Sequence, residues 1–200
     1  MKITMMVAGV VAAGLLCGPA ASAAPKPSIT KNFLLYEEEA RKDTKHAHWQ
    51  VNDEITVMGD IACTKGSPKG WAAAREITYN LKNDGVEATT AERGEQVFLF
   101  ADASGARKLM DQFRKRLAAC GKTVRAGAPK IGDEAVSGSR ASKRTKIQHP
   151  QTQQYVAVRK GAAVALYWDL HNDTKALRTL AEHEADAKKM AGKLCAIGGC

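Results

Sequence analysis

Residues 153–168 read QQYVAVRKGAAVALYW and predict a β-hairpin. Two arms rich in β-branched and aromatic residues flank a turn at Lys160-Gly161, which is the pattern of two strands joined by a tight connection. Strands joined in this way pair antiparallel, so the other strands of the chain are expected to join an antiparallel sheet. The candidate core residues of this hairpin are Val156, Val158, Val164 and Leu166.

A second hairpin is predicted upstream, where REITYNLK (75–82) places Ile77, Tyr79 and Leu81 on one face. An Asn83-Asp84-Gly85 turn follows, and a second arm runs from Val86 to VFLF at 97–100. A helix from Pro68 to Lys82 is the alternative, because Ser67-Pro68 is a common helix start. The alternation favours the hairpin. Short strands are also expected before Cys63 and near Glu134–Ser139.

Three amphipathic helices are predicted to cover the sheet. The clearest is FADASGARKLMDQFRKRLAACG (100–121), with Asp102 as N-cap and Gly121 at its end. Its apolar stripe is Ala106, Leu109, Met110, Phe113, Leu117 and Cys120. A first helix is expected in FLLYEEEARKD (33–43), and a last one in 171–195, capped by Asn172 or Asp173. The stripe of the last helix is Leu177, Leu180, Ala187, Ala191 and Leu194. The predicted fold is therefore α+β, an antiparallel β-sheet packed against amphipathic α-helices.

Residues 1–23 have the layout of a secretory signal peptide. Lys2 precedes an apolar run to Leu16, and Ala21-Ser22-Ala23 offers a cleavage site near Ala23. A lipid anchor on Cys17 is disfavoured, because Leu16 stands where lipoprotein signals prefer a small residue. The expected organisation is a leader at 1–23, a flexible lead at 24–32 and one domain at 33–200, secreted to the extracellular space.

Cleavage leaves four cysteines, Cys63, Cys120, Cys195 and Cys200. An even number in an exported chain predicts two disulfides. Three pairings are possible, and we favour Cys195–Cys200 with Cys63–Cys120, because Gly198-Gly199 lets the chain end fold back. A metal site at these cysteines is disfavoured, since no C-x-x-C pair is present.

The chain is basic, with a net charge of +9 that becomes +8 when Lys2 leaves with the leader. A dense basic run, which Arg159 and Lys160 are expected to extend, is a candidate for weak contact with an anionic polymer. The run consists of Arg140, Lys143, Arg144 and Lys146. A solvated loop is the favoured interpretation. No aromatic residues are interleaved to stack on bases, so specific nucleic-acid binding is not expected.

No catalytic, metal-binding or cofactor-binding residues are predicted. His46 and His48 lack further ligands at metal spacing, and His183-Glu184 is expected to be an exposed pair. No G-x-S-x-G elbow surrounds Ser137 or Ser139. Turn and strand-start roles are expected for Asp133 and Glu134, and core or rim positions, rather than a shared pocket, for Trp49, Trp71 and Trp168.

Four segments in order resemble the PknH-like extracellular sensor-domain family of actinobacteria. They are VFLFADASGARKLMDQFRKRLAAC (97–120), IGDEA (131–135), YVAVRKGAAVALYW (155–168) and KLC (193–195), and the resemblance spans about residues 33–196. It implies an antiparallel sheet backed by helices, two disulfides and a cleft for a ligand. It also implies a ligand-binding or sensor role without catalytic activity, for an unknown small ligand or envelope component. The alternative is a secreted interaction or inhibitor module that docks on an acidic partner or envelope polymer.

Overall fold

The computed structural model describes residues 27–43, 48–53, 55, 69–82, 89–142, 150–172 and 176–200. The predicted leader with Cys17, the Asn83-Asp84-Gly85 turn, Cys63, His46 and most of the basic run lie outside these residues. None of the helices in the described ranges is both long and apolar enough to cross a membrane.

The described residues form one antiparallel sheet and three α-helices, so the predicted α+β fold is confirmed. The strand order in the sheet is β1-β2-β3-β7-β6-β5-β4. The strands are β1 (Trp49–Asn52), β2 (Ala73–Lys82), β3 (Thr89–Leu99), β4 (Val124–Gly127), β5 (Glu134–Ser142), β6 (Gln151–Lys160) and β7 (Ala163–His171). The helices are α1 (Leu35–Lys42), α2 (Ala103–Ala119) and α3 (Leu180–Gly198).

Both predicted hairpins are confirmed by the strand registers. In the β6–β7 hairpin Lys160 lies opposite Ala163, and in the β2–β3 hairpin Ala73 lies opposite Leu99. The alternative helix from Pro68 to Lys82 is therefore wrong. The structure adds β4, which was not predicted, and extends β5 to Ser142, beyond the expected end at Ser139.

Helices cover both faces of the sheet. α2 packs on one face, where its buried stripe meets Val164 and Leu166, and α1 and α3 pack on the other, where they meet Val156 and Val158. The central strands are covered on both sides, so β6 and β7 are buried along most of their length, and their apolar runs YVAV (155–158) and AVALYW (163–168) lack the polar alternation of a half-exposed strand.

α3 begins later than predicted. Its N-cap is Thr179, not Asn172 or Asp173, of which Asp173 lies outside the described residues. The Thr179 side chain accepts a hydrogen bond from the Glu182 amide at 3.2 Å, and Glu182 Oε2 accepts one from the Thr179 amide at 2.7 Å. This capping box outweighs the earlier polar residues as a start signal.

The C-terminal end of α3 is hydrogen-bonded to the β6–β7 turn. Cys195 and Cys200 form the predicted disulfide, and Gly199 has a φ of 69°. Gly198 lies so close to the turn that its carbonyl accepts a hydrogen bond from the Ala162 amide at 2.8 Å. The pairing of Cys63 with Cys120 stays a prediction, because Cys63 is outside the described residues.

Candidate functional site

A cavity of about 690 Å³ opens beside the first residues of β2. β1 pairs only with Glu76 to Tyr79, so it does not cover the start of β2. Three segments that are distant in sequence line the cavity: 27–29 with Lys31 before α1, Asp53 and Ile55 after β1, and 71–75 at the start of β2.

The polar side of this cavity is built around Arg75, whose side chain is only 4% exposed. One terminal nitrogen, NH2, forms an ion pair with Glu37 of α1, and the other, NH1, forms one with Asp53. The remaining nitrogen, Nε, has no hydrogen-bond partner within the described part of the chain. A buried cation therefore faces two acids and keeps one donor unused.

The two acids around Arg75 are held differently. Glu37 is buried, and its Oε2 also accepts a hydrogen bond from the Leu34 amide at 3.0 Å. Burial alone would raise the pKa of Glu37, but the Arg75 guanidinium and the Leu34 amide hold it below its ordinary value. Asp53, in contrast, follows a short edge strand, and its side chain is 60% exposed. Glu37 is thus the fixed partner of Arg75 and Asp53 the loosely held one.

The apolar side of the cavity is built around Trp71. Its ring packs on Phe98 with centroids 4.8 Å apart, and its Nε1 donates to the Ile55 carbonyl at 3.2 Å. The other two tryptophans occupy different places. Trp49 borders a smaller groove of about 280 Å³ beside α1, and Trp168 is buried under α2.

A second polar cluster is buried between α1, α3 and the sheet. The Tyr36 hydroxyl lies 3.4 Å from His183 Nδ1 and donates to Asp186 Oδ2 at 3.3 Å, which also accepts from Arg178 at 2.5 Å. The prediction that His183 is exposed is wrong, since it is fully buried. His183 lies four residues before Ala187 and therefore on the same face of the helix, a spacing that could have predicted its burial. Burial, and then the nearby Arg178, lower the pKa of His183 to about 3.

Glu95 and Asp169 extend the buried cluster on the sheet side. Glu95 Oε1 accepts from the Tyr167 hydroxyl, and burial raises the pKa of Glu95 to about 7. Asp169 Oδ2 accepts from the Arg178 amide at 2.9 Å, and burial raises the pKa of Asp169 to about 6. Because these groups bond to one another across α1, α3 and two strands, we interpret the cluster as the connection that holds both helices on the sheet.

Arg159 and Lys160, which are predicted to extend the basic run, are both paired with acids. Arg159 is buried, and it donates to Asp133 Oδ2 at 3.0 Å and to Glu134 Oε1 at 2.5 Å. Lys160 donates to Asp133 at 2.8 Å. These acids at the start of β5 therefore neutralise both cations. Arg140 lies on β5, and the remaining residues of the run, Lys143, Arg144 and Lys146, lie outside the described residues.

The other residues weighed for chemistry lie apart from the cavity. His48 Nδ1 is 3.2 Å from the Asn80 carbonyl oxygen, and its ring packs against Tyr79. Ser137 is buried in β5 and Ser139 is half-buried there. In the ranges that the structure describes, no three His, Cys, Asp or Glu side chains come together as a metal site.

No family model matches this chain, and no curated protein matches it. Among solved structures, the extracellular domain of PknH from Mycobacterium tuberculosis is similar, with a TM-score of 0.46 and 12% sequence identity. The match covers 84% of this chain and 96% of that chain. These comparisons assign no family to the chain.

Proposed function

We propose that this protein is a secreted ligand-binding or sensor-like domain without catalytic activity, and that its ligand occupies the cavity beside the start of β2. The carrying observation is that the cavity joins the Trp71 ring to the buried guanidinium of Arg75. Binding sites for small molecules are concave and largely apolar, with a few polar groups that orient the ligand. The cavity volume of about 690 Å³ is in the range typical of such sites.

The way in which the cavity is assembled supports a sensing role. A ligand in this cavity would contact the segment before α1, the residues after β1 and the start of β2 at once. Binding would therefore connect segments that the described strand pairings do not join to one another. Glu37 of α1 is bonded to Arg75 at the cavity, so ligand binding at Arg75 would also affect the position of α1.

Secretion is supported by the predicted leader and by the Cys195–Cys200 disulfide. Structural disulfides persist in oxidising compartments and are rare in the cytosol. The extracytoplasmic ligand would then be a small molecule of the medium or of the cell envelope.

Native mass spectrometry of protein purified from its own culture medium tests secretion and ligand binding together. The expected result is a chain that begins near Ala24, is oxidised at its cysteines and carries an additional small-molecule mass. A full-length chain inside the cell with reduced cysteines would contradict the proposed location.

A thermal-shift screen with a small-molecule library tests the cavity itself. Trp71→Phe and Trp49→Phe each remove one indole, but only Trp71 borders the cavity. Ligands that raise the Tm of the parent protein are expected to raise that of Trp49→Phe equally and that of Trp71→Phe less. If no ligand distinguishes the two variants, the cavity is not the binding site.

A further inference from the structure

We infer that the ligand is an organic acid with one carboxylate on an apolar body, that Arg75 binds this carboxylate, and that Asp53 occupies its place when the site is empty. This inference rests on the proposed function, because it assigns a ligand class to the same cavity. It starts from the contacts of Arg75.

Arg75 offers more hydrogen-bonding capacity than the protein uses. A guanidinium has five N–H donors in a planar fork that fits carboxylates. NH2 is committed to the buried Glu37, NH1 binds Asp53, and Nε has no partner among the described residues. A carboxylate that replaced Asp53 would accept a charge-assisted hydrogen bond from NH1, the terminal nitrogen that Asp53 now occupies. Nε lies on the other edge of the guanidinium, beside NH2 and Glu37, so it is not shared with that carboxylate.

Asp53 is the acid that a ligand can displace. Its carboxylate already shows that the NH1 side of Arg75 accepts an anionic oxygen, and its side chain is 60% exposed. Turning this exposed carboxylate out to solvent buries nothing, and the incoming carboxylate takes over its bond to the buried Arg75, so the exchange leaves no buried charge unpaired. Glu37 is not a candidate for displacement, because it is 7% exposed and also bonded to the Leu34 amide.

Charge and surface in the cavity favour a monoanion with an apolar body. One carboxylate in the place of Asp53 leaves the charge around Arg75 unchanged, and the exposed Lys31 adds a second cation at the cavity. Trp71, Ile55 and Ile29 supply apolar surface for the body of the ligand. An uncharged alcohol of the same length offers Arg75 only a neutral hydrogen bond in place of the charge-assisted one.

The experiment compares decanoate with 1-decanol, which has the same chain length without the charge. Binding to the oxidised, leader-free protein is measured by calorimetry and by tryptophan fluorescence. Decanoate is expected to bind about tenfold or more tightly than decanol, because only decanoate replaces the charge-assisted bond to Arg75.

Asp53→Asn and Glu38→Gln form the matched pair of variants. Each removes one exposed carboxylate from an ion pair, but Glu38 pairs with Lys42 on α1 and does not line the cavity. Asp53→Asn removes the competing carboxylate and is expected to bind decanoate about threefold to tenfold more tightly, with decanol binding unchanged. Glu38→Gln is expected to bind both probes as the parent protein does.

The outcomes separate this inference from the proposed function. Equal binding of decanoate and decanol would overturn the carboxylate assignment and leave the cavity as a binding site. Decanoate binding that Asp53→Asn weakens or leaves unchanged would overturn the role of Asp53 and, with it, the inference. Binding of neither probe would also overturn the inference, whereas the proposed function is decided by the library screen with Trp71→Phe.

Discussion

The backbone amide of Tyr36 donates to Glu95 Oε2 across 2.7 Å, so the first turn of α1 is bonded to a carboxyl group buried in β3. The other oxygen of Glu95 accepts from the Tyr167 hydroxyl at 2.7 Å. These hydrogen bonds favour the ionised form, but full burial outweighs them and raises the pKa of Glu95 to about 7. The attachment of α1 therefore includes a group that titrates near neutral pH.

Glu95→Gln is expected to stabilise the protein at neutral pH and to change little in acid. Between the ordinary pKa of 4.5 and the folded value of about 7, the folded state keeps a proton that the unfolded state releases. The free energy of unfolding therefore falls as pH rises through this window, by up to about 3 kcal/mol. Glutamine resembles the protonated form and removes this loss.

Urea unfolding of the parent protein and of Glu95→Gln at pH 4.5, 6 and 8 measures this difference. The advantage of the variant is expected to grow with pH and to level off above about pH 7. Glu184→Gln on α3 is the control. A difference between Glu95→Gln and the parent that stays constant across pH would show that Glu95 does not titrate in this window.

His183 is expected to give the opposite pH dependence. Its pKa is lowered from 6.5 to about 3, so the unfolded state gains a proton below pH 6.5 that the folded state refuses. Above pH 6.5 His183 is neutral in both states and costs no stability. As pH falls from 6.5 toward 3, protonation of the unfolded state lowers the free energy of unfolding. Between pH 4.5 and 6.5 Glu95 has the opposite effect, because it lowers the free energy of unfolding as pH rises. Asp169, whose pKa is also raised, acts in the same direction as Glu95 below pH 6.

His183→Gln is therefore expected to lose less stability on acidification than the parent protein, whatever its stability at pH 7. The measurement is the slope of unfolding free energy against pH from 7 to 4, with His48→Gln, which lies beside Asn80 and Tyr79 and outside the buried cluster, as control. An acid slope in His183→Gln equal to that of the parent would mean that His183 is protonated in the folded state.

Gly94→Ala is expected to destabilise the sheet beside α2. A Cβ on Gly94 would lie 2.1 Å from the ring of Trp168, its partner on β7, and both strands are hydrogen-bonded to a neighbour on each edge. Forcing extra atoms into a packed core costs about 1–3 kcal/mol. The control is Gly192→Ala on α3, where a Cβ meets nothing within 4 Å. That change is expected to stabilise the helix by up to about 1 kcal/mol. Thermal unfolding compares the two, and equal shifts would contradict the packing of Trp168 on Gly94.

The elements whose evidence is local were predictable from the sequence. The β6–β7 hairpin and the stripe of α2 from Ala106 to Leu117 follow from residue spacing, and both are confirmed. The sequence does not predict β4, because four residues reading VRAG are too few to carry a periodic signal, and the strand is ordered by its pairing with β5. The sequence predicts too early a start for α3, because Asn172 and Asp173 are as good N-caps by residue type as Thr179, the N-cap in the structure.

The candidate site could not be predicted in the same way. Arg75 was part of a predicted strand, but its burial depends on Glu37, 38 residues earlier, and on Asp53. Glu95 and His183 likewise have polar partners that only the folded chain brings near. Charged residues are expected at the surface, so their burial becomes visible only when the partners are known. The cavity is assembled from three such distant segments.

The Cys195–Cys200 disulfide is expected to stabilise only the C-terminal end of α3. It closes a loop of only five residues in sequence separation, which in the chain-entropy account stabilises by about 2 kcal/mol. Replacing both cysteines by serine should therefore lower the unfolding free energy modestly and accelerate hydrogen exchange at the Ala162 amide, which bonds to the Gly198 carbonyl. Gly198→Ala keeps the disulfide but places a Cβ 2.7 Å from the Lys160 carbonyl oxygen, so it should accelerate the same exchange. Amides in the centre of α2 serve as the internal control. If the serine variant exchanges at Ala162 as slowly as the parent, the α3 end is held on the β6–β7 turn by packing and not by the disulfide.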